Sequence, residues 1–219
     1  MAGKKKISKK ELLKKPDEFI TFSNRAFNWI KDHTRMTIAV VSGVILVVVF
    51  FFGLTTYQKR QDRLGHEKYF SALENGNPDQ KLKKLEEVIG NYPRTKAAQT
   101  ARVNLADLYY QKKDFPRAIS AYQSALEKGK FSGDIKTLIL GNLAYAYEQK
   151  GDLQQAVSVF SRISQEKESV IQEDSLLNLG RVYLKMGKKN EAKATYQNFI
   201  KTFPKSPYLT MVKDKLAGL

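Results

Sequence analysis

Three stretches of the chain repeat one pattern. NLADLY at 104–109 is followed by AISAYQSAL from Ala118, NLAYAY at 142–147 by AVSVFSRI from Ala156, and NLGRVY at 178–183 by AKATYQNFI from Ala192. The leading leucines, Leu105, Leu143 and Leu179, are 38 and 36 residues apart, yet each stands thirteen residues before its alanine. Offsets held inside units, with connections of variable length between them, mark a helical solenoid in which each unit buries its apolar face only against its neighbours. Leu105 with Tyr109, Leu143 with Tyr147 and Leu179 with Tyr183 are four apart and share a helix face. Ala106, Ala144 and Gly180 are small where helices must approach closely. Ala118, Ala156 and Ala192 do the same on the second helix, and Tyr122, Phe160 and Tyr196 fill the space between units.

The turns inside the units read QKKD, QKGD and KMGK. Gly151 and Gly187 suit a left-handed helix end. Lys113 takes that place in the first unit, where a positive φ costs about 1–2 kcal/mol. Asp152 is expected to cap the following helix, with Gln155 completing a capping box, and Pro116 sits in a first turn.

These residues resemble tetratricopeptide repeats (TPRs). The family's Leu-small, Tyr, Ala, aromatic and terminal Pro fall at Leu179, Gly180, Tyr183, Ala192, Tyr196 and Pro204. The first unit ends at Lys130 without the proline, and the second carries Ile163 and Glu168 at its last small-residue and proline positions. The resemblance implies an all-α solenoid over 57–219, with repeats at about 99–132, 137–170 and 173–206. Residues 62–95 form a degenerate unit, with Tyr69, Phe70, Ala72 and Leu73 on one helix face, a turn at NGNPD, and Leu82, Leu85, Val88 and Ile89 on the next helix. Residues 205–219 make a capping helix with Leu209, Val212 and Leu216 inward.

Ahead of the repeats lies MTIAVVSGVILVVVFFFGL, residues 36–54, with no charged residue. As a helix it is roughly 28 Å long, near the thickness of a bilayer's hydrocarbon core. It exceeds a signal-peptide core and no A-x-A-like site follows it, so a retained transmembrane helix over 36–56 is expected. Residues 1–35 hold ten Lys and Arg against four in 55–70. That bias places the N-terminus in the cytoplasm and the solenoid across the membrane; in a bacterium that destination is the periplasm, with the chain single-pass in the inner membrane. Between basic tail and span, Phe19, Phe22, Ala26, Trp29, Ile30 and His33 fall at spacings of three or four, after Pro16, Asp17 and Glu18 at a helix start. An amphipathic helix beside a span reads as an interfacial helix, with Phe19, Phe22 and Trp29 against lipid, or as a contact face for a partner.

The order of basic tail, PDEF…FNWIKDH, span and short TPR units is similar to a bacterial family of N-in membrane proteins with a periplasmic TPR domain. Its best-known member is the ancillary subunit of the SecYEG translocon. That resemblance implies a place beside the Sec translocon, handing emerging chains to periplasmic chaperones. The alternative is a structural scaffold for an envelope assembly such as cell division, a pilus or a secretion apparatus.

Nothing in the chain reads as catalytic. No Cys is present and there are two His, so thiolate metal sites and Cys nucleophiles are excluded. His66-Glu67 lacks the second His of a zinc helix, and no phosphate-binding glycine motif or GxSxG occurs. No metal or cofactor is expected. The formal charge of +16 is dispersed and unpaired with a stacking motif, which argues against nucleic acid. The family's groove positions map onto Val103, Asp107 and Tyr110, then Gly141, Tyr145 and Glu148, then Leu177, Arg181 and Leu184. The Lys and Asn set that clamps a C-terminal carboxylate is missing there. The mixture present suits an amphipathic or apolar peptide, or else packed helix contacts with no ligand.

Overall fold

The computed structural model describes residues 18–74, 76–166 and 169–219. The basic residues 1–15, the expected helix start at Pro16 and Asp17, and Glu168 lie outside them, as does the side chain of Phe19. The described residues form ten α-helices and no strand: α1 Glu18–Asp32, α2 Thr34–Leu73, α3 Pro78–Asn91, α4 Lys96–Gln111, α5 Phe115–Lys128, α6 Gly133–Lys150, α7 Leu153–Gln165, α8 Gln172–Lys185, α9 Lys189–Thr202 and α10 Leu209–Ala217. The chain divides into two units, Met1–Tyr57 and Gln58–Leu219.

In the first unit, α1 is followed after His33 by the apolar start of α2. This helix is long and apolar enough to cross a membrane, and among the described residues nothing covers its most apolar stretch.

The second unit is a solenoid of antiparallel hairpins, each helix packing on the next from α3 to α10. Its core is a series of clusters. Tyr69, Ala72, Leu85, Val88, Ala97 and Ala101 form the first. Ala106, Ala118, Tyr122 and Leu143 belong to the second, Ala144, Ala156, Phe160 and Leu179 to the third, and Ala192, Tyr196, Phe199 and Val212 to the last. Each of the small residues named from the repeat pattern is fully buried or nearly so, and so are Tyr122, Phe160 and Tyr196. Burying such an aromatic stabilises by roughly 1.5–3 kcal/mol, which is why alanine recurs where a helix backbone must come near the ring. Phe70 departs from expectation. It is exposed, while Tyr69 and Ala72 carry that face inward, because residues one apart on a helix point about 100° apart.

Local signals set the helix ends. The Asn77 carboxamide accepts from the amides of Asp79 and Gln80 at 2.9 and 3.2 Å, the Thr95 hydroxyl from Ala98 at 3.1 Å, and Asp114 from Arg117 at 3.1 Å. Gly151 and Gly187 adopt φ of 93° and 72°, and Lys113 is left-handed at 59°. Asp152, expected as a cap, occupies the N-cap of α7 without a side-chain cap bond; its carboxylate accepts from Lys150 Nζ at 2.9 Å.

Candidate interaction groove

α4, α6 and α8 are the first helices of successive hairpins. Asp107, Tyr145 and Arg181 hold one repeat position on them, and Tyr110, Glu148 and Leu184 another. Asp107, Tyr110 and Tyr145 line a cavity of about 240 Å³ together with Gln111, Tyr122 and Asn142. A smaller one of about 90 Å³ shares Asn142 and Tyr145 and continues to Leu138, Ile171, Asp174 and Asn178.

The polar atoms of this surface are tied together across units. The Tyr122 hydroxyl donates to Asp107 Oδ1, and Asn142 Nδ2 reaches the same carboxylate oxygen at 3.4 Å. Asn178 Nδ2 donates to the Tyr145 hydroxyl at 2.7 Å. Asn104 Nδ2 does the same to Tyr69 at 2.7 Å. The three asparagines that open the NL motifs therefore form one bond each to the preceding unit, a device the sequence reading passed over. Its signal was present in the recurrence of Asn immediately before each leading leucine. Burial raises the Tyr122 hydroxyl's pKa and the Asp107 carboxylate adds to the effect. Tyr145 is raised in the same way, by burial and then by Asp174. Both phenols stay protonated at neutral pH. Rings hold the walls upright: Tyr110 packs edge-on to Phe115 at 5.6 Å, and Tyr145 to Phe160 at 5.3 Å.

The other expected groove residues have different surroundings. The Glu148 carboxylate is 1% exposed and bonded by Arg181 and Lys185. Arg181 is further fixed by Asn178 Oδ1 at 2.8 Å. Val103 packs against the second core cluster, and Leu177 and Leu184 against the last. What faces solvent is thus a strip of aromatic walls with carboxylates and carboxamides at its floor. Among the described residues no group of three or more His, Asp or Glu stands together to hold a metal.

Solved structures share this architecture. A tetratricopeptide repeat protein from Parabacteroides merdae is similar with a TM-score of 0.57 at 17% identity, over 73% of this chain and 61% of that one. A putative kinesin light chain with nearly identical TPR-like repeats from Podosopora anserina gives 0.53 at 18%, over 73% and 82%. The Pseudomonas aeruginosa pilF structure gives 0.51 at 19%, over 73% and 68%. At these identities the likeness is one of fold. No curated protein sequence matches the chain. The tetratricopeptide repeat-like domain family does match, over residues 28–219, and with the repeat register and the hairpin solenoid already in place, the chain belongs to that family.

Proposed function

We propose that this chain is a membrane-tethered TPR adaptor of the bacterial envelope, which holds polypeptide segments in the groove between α4, α6 and α8. TPR-like folds are protein-interaction scaffolds, and the observation that carries the reading is the pair of adjoining cavities around Asn142 and Tyr145. Aromatic walls offer contact area at low entropy cost, and a floor of acceptors and carboxamides can meet a peptide backbone. No catalytic step belongs to this reading.

The tether is the apolar start of α2. The family match begins at residue 28 and so takes in this segment together with the repeats. The excess of Lys and Arg before the span supports a cytoplasmic N-terminus and a periplasmic solenoid. That arrangement would place the groove where exported chains emerge, beside the Sec translocon and within reach of periplasmic chaperones. An alkaline-phosphatase fusion after Leu219 should then be active, and an inactive fusion would reverse the orientation. Gentle detergent extraction followed by identification of co-purifying proteins tests the setting. Recovery of translocon subunits supports it; recovery of a single division, pilus or secretion machine would replace it with the scaffold reading.

A further inference from the structure

α1 carries the most one-sided surface of the chain. On a helix advancing 100° per residue, Trp29, Phe22, Ala26, Ile30, Phe27 and Ile20 occupy about half the circumference, with Ser23 between Ile30 and Phe27. Lys31, Asn24, Asn28, Thr21, Asp32 and Arg25 take the other half. Ile20 is 56% exposed, Phe22 72%, Phe27 68%, Trp29 51% and Ile30 45%, so nothing among the described residues covers the apolar side. The two cations stand at the borders, Arg25 on the Trp29 edge and Lys31 on the Ile20 edge. From there their stems can follow the apolar surface while the charges stay in water. One residue, His33, separates α1 from α2; its amide donates to the Trp29 carbonyl at 3.0 Å and its ring stacks on Trp29 at 4.8 Å. The Thr34 hydroxyl donates to the Lys31 carbonyl at 2.8 Å.

We propose that α1 lies in the plane of a lipid surface, with its apolar half sunk at headgroup level and Arg25 and Lys31 against anionic headgroups. A bilayer is the occupant that fits. An apolar run that carries no charge begins within four residues of α1, which confines α1 to the membrane surface. A half-apolar helix with cations at both borders matches the layering of that surface. The seven Lys among residues 4–15 add the same attraction. The inference rests on α2 spanning the bilayer.

Trp29 is the sole tryptophan, so fluorescence reads the depth of α1 directly. The full chain is reconstituted in phosphatidylcholine vesicles with and without phosphatidylglycerol. Flotation after an alkaline wash reports first on the span; if the chain stays at the bottom, both the anchor reading and this inference fall. In floating vesicles, the Trp29 emission should shift to shorter wavelength and be lost largely to lipids brominated near the headgroup end of their chains. The decisive variant is Trp29→Phe with Phe22→Trp. An in-plane helix keeps position 22 at the depth of position 29, whereas a helix continuing outward lifts it about 10 Å into water. Quenching by bromolipid at position 22, stronger with phosphatidylglycerol, and a wet signal from Trp29→Phe with Asn28→Trp are the expected results. Position 22 open to acrylamide and blind to bromolipid in vesicles that float would overturn the proposal and leave the anchor standing. So would position 22 shielded from both quenchers, which would mean that protein covers the face.

Discussion

Glu148 and Arg181, one repeat apart, meet as a two-pronged ion pair in which Arg181 Nη2 donates to Glu148 Oε2 at 2.6 Å. Lys185 bonds the same carboxylate, whose side chain is 1% exposed. Burial by itself would raise the Glu148 carboxyl. The bonds from Arg181 and Lys185 outweigh that and hold it below the ordinary carboxylate value. A depressed folded pKa stabilises the fold above the unfolded value of about 4.3 and loses that contribution as pH falls through the folded one.

Glu148→Gln should therefore lower stability at pH 7 by about 2 kcal/mol. This is less than the usual cost of breaking a buried pair, because Arg181 and Lys185 are half-open to water and can rehydrate. Thermal melts followed by circular dichroism should show the original chain losing more than the variant as pH drops below about 5, with the two curves converging in acid. Parallel curves would mean that the pair carries no pH-linked stability.

The aromatic that opens each inter-unit core gives an internal control. Tyr122 donates its hydroxyl to Asp107, the next unit has Phe160, and the Tyr196 hydroxyl is buried with no partner among the described residues. Tyr122→Phe should cost about 1–2 kcal/mol, and Tyr196→Phe should be neutral or stabilise by up to about 1 kcal/mol. Chemical denaturation of the two variants side by side checks the opposite signs.

Gly180 stands where the other units have Ala106 and Ala144. A Cβ there would meet Tyr196 Cε1 at 2.4 Å, so Gly180→Ala should overpack the contact at a cost of roughly 1–3 kcal/mol. Pairing it with Tyr196→Leu should recover part of the loss, as a double-mutant cycle would show.

Much of this was legible in the sequence because a solenoid repeats its local rules. The thirteen-residue offset marks the hairpins, the glycines mark the turns, and the family's groove positions fall on Asp107, Tyr110 and Tyr145, which line one cavity. The rest depended on the neighbouring unit. Helical spacing put Glu148 on the groove face, but only the register of α8 against α6 brings Arg181 and Lys185 over it. The same register gives Asn104, Asn142 and Asn178 their partners. Asp152 stands at the expected N-cap position, but its carboxylate turns to Lys150 two residues back, which capping spacing does not register. On α1 the stripe of three- and four-residue spacings was too narrow. It omitted Ile20 and Phe27, which widen the apolar side to half the helix.

In the proposed function the groove, and not the outer surface, meets polypeptide. A photo-crosslinking residue placed at Gln111 or at Leu138, both exposed at the cavities, samples it. The same residue at Ser120 or Ser158, exposed on the second helices α5 and α7, samples the outside. In living cells the groove positions should yield polypeptide adducts, and these should weaken with Tyr110→Ala and Tyr145→Ala in a chain that circular dichroism shows to be folded. Adducts that form equally at Ser120 and Ser158, or that are absent from Gln111 and Leu138, would mean that the groove is not where polypeptide binds.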